Sequence, residues 1–73
     1  MLTNTLKVRR TAKGWTQADL AIRVGVSRKT INTVENGIFV PSTVLALKLA
    51  QALEVSVEEL FALEQNLHSD NSA

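Results

Sequence analysis

The chain has 73 residues and a net charge of +1, a length that fits one domain with a single small core. It contains no cysteine, which excludes disulfides and thiolate metal sites, and its lone histidine, His68, cannot form a metal site by itself. No apolar stretch suits a membrane span and no signal-peptide pattern is present, so we expect a cytoplasmic protein without cofactor, metal or small-molecule ligand.

Three helix starts are predicted by one repeated signal. In each, an apolar residue precedes a hydroxyl N-cap and is matched by an apolar residue five positions later. The three sets are Trp15-Thr16 with Leu20, Val26-Ser27 with Ile31, and Val55-Ser56 with Leu60. Asp19 and Glu59 stand at the third helical position, where a carboxylate completes a capping box.

Helix ends are predicted at three glycines, Gly14, Gly25 and Gly37, and Pro41-Ser42 opens another segment. These signals predict five helices, over residues 3–13, 16–24, 27–36, 42–53 and 56–64. No strand-like alternation is present, so the predicted fold class is all-α. We expect one helical domain over residues 1–65 and a flexible polar tail, which includes His68, over residues 66–73.

Helical spacing predicts which residues form the core. They are Leu6, Trp15, Leu20, Ala21, Val24, Ile31, Val34, Leu49, Ala50, Leu53, Val57, Leu60 and Phe61. The fourth helix carries further apolar residues around its girth: Val44, Leu45 and Leu47. A helix that is apolar on more than one face needs a second surface to cover it, and another subunit could supply that surface. The loop pair Phe39-Val40 either packs on the core or belongs to the same interface.

Residues 16–36 place two short helices around a tight turn at Gly25. Leu20, Ile31 and Val34 can meet beneath that turn, as a helix-turn-helix requires. An ordinary helical hairpin in a bundle is the alternative. The outer face of the third helix favours the first interpretation, because it carries no carboxylate and suits a DNA major groove. Its members are Arg28, Lys29, Asn32, Thr33 and Asn36.

The charge distribution points to the same polyanionic partner. Residues 1–30 hold seven Lys and Arg against one Asp, a net charge of +6, whereas residues 31–73 hold one Lys against six acidic residues, a net charge of −5. A basic face directed at nucleic acid explains this asymmetry, with two ordinary solvated faces as the alternative.

The segments GWTQADLA (14–21), VGVSRKTINTVENG (24–37), PS (41–42) and ALEVSVEELF (52–61) carry a family resemblance. The stretch from Leu6 to Leu63 resembles the phage-repressor and Cro type of helix-turn-helix, also called the xenobiotic-response-element family. The resemblance implies a compact five-helix domain of the lambda-repressor-like type. Its second and third helices form the motif, and the third reads the major groove, usually in a two-fold dimer.

The resemblance also implies residue roles. Gln17 would bond a phosphate with its side chain and backbone N–H, and Arg28, Lys29 and Thr33 would read bases. Arg10 and Glu35 match a salt bridge between the first and third helices, with Arg10 also lending charge to a phosphate. Thr30, Asn32 and Asn36 would make backbone or secondary contacts, and the predicted DNA-binding set further includes Thr16 and Ser27.

Two positions need separate comment. Arg9 stands where the family usually has an apolar residue. Either its stem covers the core with the charged head in water, or the first helix packs in a different register. Relatives often dimerise near the loop after the third helix and at the last helices. The predicted homodimer interface is accordingly Phe39, Val40, Val44, Leu47 and Leu63.

The sequence therefore predicts a sequence-specific transcriptional regulator, and more specifically a repressor, that binds double-stranded DNA as a homodimer. One alternative is an antitoxin that represses its own operon and binds a toxin. Another is a module in which the outer face of the third helix binds a protein. An enzyme is disfavoured, since the sequence offers no nucleophile–base pair, clustered metal ligands or phosphate-binding glycine loop.

Overall fold

The computed structural model describes residues 2–64, so the predicted tail over residues 66–73, with His68, lies outside the described residues. Five helices follow one another as predicted, with a short strand before the first and another after the last. In chain order the elements are β1 (Leu2–Asn4), α1 (Leu6–Ala12), α2 (Gln17–Val24), α3 (Arg28–Glu35), α4 (Thr43–Leu53), α5 (Val57–Leu60) and β2 (Phe61–Leu63). No helix in this part of the chain is long and apolar enough to cross a membrane.

The predicted five-helix fold is confirmed, and two short strands are added to it at the ends of the domain. β1 and β2 pair antiparallel, with Leu2 opposite Leu63 and Asn4 opposite Phe61. The backbone N–H of Thr5 extends the pairing by donating to the carbonyl of Leu60 over 2.9 Å. The helices predicted over residues 3–13 and 56–64 were therefore too long, because three-residue strands are too short to show a period of two.

The predicted helix starts are confirmed by their N-caps. Thr16, Ser27, Ser42 and Ser56 each accept a hydrogen bond from the backbone N–H three residues ahead. Thr16 and Ser56 complete capping boxes, in which the carboxylates of Asp19 and Glu59 accept from the N-cap backbone N–H over 2.9 Å. These backbone donors, followed by the N-cap hydroxyls, lower the pKa of both carboxyls below their ordinary values.

One helix ends in the left-handed conformation without a glycine. Gly25 closes α2 with φ 75°, as the sequence predicts, but α4 is closed by Glu54 with φ 59°. A side chain disfavours this region because Cβ crowds the following carbonyl oxygen. The carboxylate of Glu54 is bonded to the ammonium group of Lys13, which lowers the pKa of Glu54.

The core lies where α1, α2 and α3 meet α4 and α5. The buried apolar residues are Leu6, Leu20, Ala21, Val24, Ile31, Val34, Leu45, Leu49, Ala50, Leu53, Leu60 and Phe61. Trp15 and Val57, which were predicted to be core residues, are only partly buried against this set. Leu45 was predicted to be a surplus apolar residue like Val44 and Leu47. It is buried, because it shares one face of α4 with Leu49 and Leu53.

A tight connection sets the position of α3 relative to α2. The backbone N–H groups of Gly25 and Val26 both donate to the carbonyl of Ala21, over 2.8 and 3.0 Å. Ile31 and Val34 on α3 are buried in the same cluster as Leu20. The contacts of these two helices therefore fix which face of α3 points away from the protein.

Candidate nucleic-acid interface

α3 presents a polar, basic outer face opposite its buried residues. Ile31 and Val34 are fully buried, whereas Arg28, Lys29, Asn32 and Asn36 are exposed. Arg28 and Lys29 stand in the first turn, beside backbone N–H groups that the helix itself leaves unpaired. Positive side chains there oppose the helix dipole, and an external anion would relieve that repulsion.

An open groove joins this face to the start of α2. It is lined by Gln17, Arg28, Lys29 and Asn32, two of which are cations and two of which are amides. Guanidinium, ammonium and amide groups are the donors that proteins present to phosphates and to base edges. The groove therefore brings together four of the residues that the sequence predicts to bind DNA.

Arg10 and Glu35 are also brought together, in a bidentate ion pair below the outer face. Arg10 Nε donates to Glu35 Oε2 over 2.6 Å and Arg10 Nη2 donates to Glu35 Oε1 over 3.2 Å. Arg10 Nη1 bonds the carbonyl oxygen of Trp15 over 2.7 Å, and the two charged side chains are only 9% and 3% exposed. Each guanidinium nitrogen of Arg10 thus bonds a protein group, and the predicted contribution of its charge to a phosphate stays a prediction.

The side chain of Gln17 is engaged within the protein instead of being directed freely outward. Its Nε2 donates to Glu35 Oε1 over 3.0 Å and to Asn32 Oδ1 over 3.2 Å. Both amide hydrogens are used by these bonds, so the predicted donation from this side chain to a phosphate would require one of them to break. The backbone N–H of Gln17, at the first position of α2, suits the predicted phosphate contact better.

Several hydroxyls in the predicted DNA-binding set serve the backbone of the motif. Thr16 and Ser27 are N-caps, and the hydroxyl of Thr30 lies 3.0 Å from that of Ser27. Thr33, predicted to read bases, is half-buried and donates from Oγ1 to the carbonyl of Thr30 over 2.9 Å. Its methyl group is thus the part left for apolar contact, such as with a thymine methyl.

The predicted interface residues are all exposed, with fractional exposures from 48% for Phe39 to 76% for Leu63. Phe39 and Val44 line one groove with Lys48, and Leu47 follows Val44 by one turn of α4. Leu63 lies on β2 and does not line that groove. Among the described residues, the large apolar side chains of Val8, Ile22 and Ile38 are also exposed, and no role was predicted for them.

The structure places Arg9 at the surface of α1. It also shows contacts made by Asn4, a residue that the sequence did not single out. Leu6 and Arg10 point inward, while Arg9 is 38% exposed with its Nη2 atom 3.9 Å from Glu59. Asn4 bonds the carbonyl of Val34 through Nδ2 and the N–H of Leu6 through Oδ1, both over 3.0 Å. Asn4 therefore ties β1 to α3, a contact across 30 positions that no local pattern indicates.

Comparison with known proteins matches residues 6–60 to the helix-turn-helix family model. The chain is 40% identical over 62 residues to the HTH-type transcriptional regulator YgzD of Bacillus subtilis, covering 85% of this chain and 94% of that protein. It is 38% identical to the antitoxin HipB of Escherichia coli O6:H1, covering 77% of this chain but only 60% of HipB. The crystal structure of the restriction-modification controller protein C.AhdI from Aeromonas hydrophila is similar, with TM-score 0.70 and 42% identity, covering 74% of this chain and 82% of that one.

Proposed function

The chain belongs to the helix-turn-helix family and is a DNA-binding transcriptional regulator, and on this premise we propose that it is a homodimeric repressor of a near-palindromic operator. Each protomer inserts α3 into the major groove. The two copies of α3 enter successive grooves about 34 Å apart, as two-fold symmetry on B-DNA requires. Bound there, the dimer blocks access of RNA polymerase.

The outer face of α3 is the observation that carries the proposal. Arg28 and Lys29 address guanine or phosphate, Asn32 and the backbone N–H of Gln17 add donors beside them, and none of these residues carries a carboxylate. A helix exposed merely to solvent commonly mixes acidic residues with its basic ones. The acidic residues of this chain are concentrated instead after residue 53.

The exposed apolar residues of α4 and of the loop before it support a dimer. Phe39, Val40, Val44 and Leu47 are between 48% and 67% exposed, which is costly for large apolar side chains grouped in one region. A second copy of the chain covers them in the proposed assembly. Leu63 on β2 belongs to the proposed interface as well.

The test is a salt titration of binding to a site selected from random DNA and to an unselected duplex. We expect a palindromic selected site and an affinity that falls steeply with salt, because phosphate contacts release counterions. Arg28→Ala should weaken the free energy of binding by about 1–3 kcal/mol, and it should relax the sequence preference only at particular base pairs. Lys7→Ala is the control, since exposed Lys7 lies on α1 and lines neither the α3 groove nor the groove of Phe39 and Val44. Weak binding that ignores sequence and Arg28 would overturn the proposal and favour a protein partner for this face.

A second candidate is an autorepressing antitoxin. It is favoured by the similarity to HipB and by the net charge of −5 over residues 31–73, which suits a basic toxin. The DNA-binding surface is the same in both candidates, so a DNA assay does not separate them. Co-purification with the product of a neighbouring gene, together with relief of that product's toxicity, would identify the antitoxin.

A further inference from the structure

A chain of hydrogen bonds runs from the buried ion pair to the surface of α3. Glu35 binds Arg10 through both carboxylate oxygens, and its Oε1 also accepts from Gln17 Nε2 over 3.0 Å. The same Nε2 donates to Asn32 Oδ1 over 3.2 Å. Asn36 reinforces the far end, because its Nδ2 donates to the Asn32 carbonyl over 2.8 Å and to Asn32 Oδ1 over 3.1 Å.

Each amide in this chain has only one orientation that satisfies its neighbours. The Glu35 carboxylate, held by Arg10, offers only acceptors, so Gln17 must turn its NH2 group toward Glu35. The second hydrogen of that NH2 group then requires an acceptor on Asn32, which places Oδ1 inward. Two donors, from Gln17 and Asn36, fill both lone pairs of that oxygen.

We propose that the Arg10–Glu35 ion pair, acting through Gln17, fixes the amide of Asn32 so that α3 presents Asn32 to DNA only as a hydrogen-bond donor. Gln17 is a positioning residue in this arrangement, and Asn32 is the donor that it orients toward DNA. The inference rests on the proposed function, since it names what the α3 surface selects.

The proposed orientation restricts what Asn32 recognises. The familiar contact of asparagine with adenine is bidentate: Nδ2 donates to N7 and Oδ1 accepts from the exocyclic amino group. Here Oδ1 is already occupied, so that second bond is not available. The remaining NH2 group donates only to acceptors: N7 of either purine, O6 of guanine or O4 of thymine in the major groove, or a phosphate oxygen.

The fixed amides are testable in the free protein by NMR, without DNA. The side-chain NH2 protons of Gln17 should exchange with water about tenfold more slowly than those of exposed Gln51, because one of them is bonded to a carboxylate. Glu35→Gln should abolish this protection, whereas Glu58→Gln, which alters an exposed glutamate of α5, should preserve it. Equal exchange of the Gln17 and Gln51 protons in the wild type would overturn the proposal.

The recognition step is tested on the selected site by replacing adenine and cytosine, one position at a time, with bases that lack the exocyclic amino group. If an amino group in the site were bonded by Asn32, its removal would weaken binding by the wild type but not by Asn32→Ala. The proposal predicts that no amino group in the site behaves in this way. If such an amino group exists, its removal is also tested on Asn36→Ala, which retains Asn32. If its removal weakens binding by Asn36→Ala as well, Asn32 accepts a hydrogen bond from DNA and the proposal is wrong.

The outcome of Asn32→Ala itself separates the two sources of acceptors. Loss of preference at one base pair, by about fivefold or more, indicates an acceptor on a base, and an equal loss at every sequence indicates a phosphate. Both support donation by Asn32. A wild-type protein that selects no site in any pool fails the proposed function itself, and the proton exchange measurement then decides the amide arrangement alone.

Discussion

Arg10 on α1 and Glu35, the last residue of α3, form a bidentate ion pair that is almost completely removed from solvent. The pair links α1 directly to the end of α3, the helix that is proposed to enter the major groove. Burying two charges gains little net stability, but separating them leaves one charge without compensation in the interior. The pair therefore makes the placement of α3 dependent on the placement of α1.

Removing one partner of this pair should be costly. We expect Glu35→Ala to lower the free energy of unfolding by about 3–5 kcal/mol, measured by urea denaturation. Lys13→Ala, which breaks the more exposed pair with Glu54, should cost at most about 1 kcal/mol. The double substitution Arg10→Met/Glu35→Leu should cost less than Glu35→Ala alone. Equal costs for Glu35→Ala and Lys13→Ala would contradict the uncompensated-charge argument.

Asn4 should contribute to stability through two separable hydrogen bonds. Asn4→Ala removes the partners of the Val34 carbonyl and the Leu6 N–H, and we expect a loss of about 2 kcal/mol in the free energy of unfolding. Asn4→Asp retains the acceptor for the Leu6 N–H but replaces the donor to the Val34 carbonyl with a carboxylate oxygen, so it removes only one of the two bonds. Amide hydrogen exchange at Leu6 distinguishes the two variants, since only Asn4→Ala should accelerate it. If both variants match the wild type, Asn4 does not hold β1 on α3.

Glycine at position 54 should stabilise the protein. Glu54 adopts φ 59°, a region that costs a side chain about 1–2 kcal/mol, and its ion pair with Lys13 is largely exposed. We expect Glu54→Gly to raise the free energy of unfolding by about 0.5–1 kcal/mol, measured in urea, with DNA affinity unchanged. Glu58→Gly places glycine within α5 and should have the opposite sign. A loss of stability in Glu54→Gly would show that the ion pair outweighs the strain.

The capping boxes should make stability sensitive to acid. The pKa of Glu59 is lowered by the backbone N–H of Ser56, so the folded protein binds a proton more weakly at this site than the unfolded chain does. The resulting stabilisation is fully present above the unfolded-state pKa, near 4, and is lost as the pH falls through the lowered folded-state pKa. Glu59→Gln keeps an oxygen that accepts from the Ser56 N–H, but its side chain does not titrate.

Urea denaturation between neutral and strongly acidic pH measures the effect. The wild type should lose more stability than Glu59→Gln over the acidic part of this range. Glu58→Gln, whose carboxylate belongs to neither capping box, is the control for the loss of one negative charge. A constant difference between wild type and Glu59→Gln across the range would contradict the linkage.

The proposed dimer interface is tested by one substitution on each of two surfaces. Leu47→Asp places a charge within the proposed interface and should shift the protein to monomer in sedimentation equilibrium, with a parallel loss of affinity for the palindrome. Ile22→Asp alters a more exposed apolar residue, on α2 outside the proposed interface, and should leave the association unchanged. The interface is misplaced if Ile22→Asp dissociates the dimer and Leu47→Asp does not.

Local sequence signals predicted most of the helical framework because their causes are local. Each N-cap acts on a backbone N–H three residues away, and Gly25 ends α2 through its own dihedral angles. The four-residue spacing of Leu45 from Leu49, and of Leu49 from Leu53, also predicts that Leu45 is buried. It was missed because neighbouring Val44 and Leu47 made the whole helix look apolar.

The strands and the amide chain lacked any such local signal. β1 pairs with residues about 59 positions away, and three residues show no period. The bond from Gln17 to Asn32 depends on the crossing of α2 and α3, so the sequence could place both residues near DNA without showing that they contact each other. The family resemblance predicted the Arg10–Glu35 pair, but the burial of both side chains depends on how α1 packs against α3 and could not be predicted from the sequence.

The pairing of β1 with β2 has a consequence for synthesis on the ribosome. Residues 2–4 are made before the rest of the domain, yet the strand that pairs with them is completed only when residue 63 has been made. The helix-turn-helix of residues 17–35 is complete in sequence before that point, and its two helices are close neighbours along the chain. α2 and α3 have therefore been synthesised before the pairing of β1 with β2 can hold Asn4 against α3, and a chain that ends before residue 63 would lack this closure.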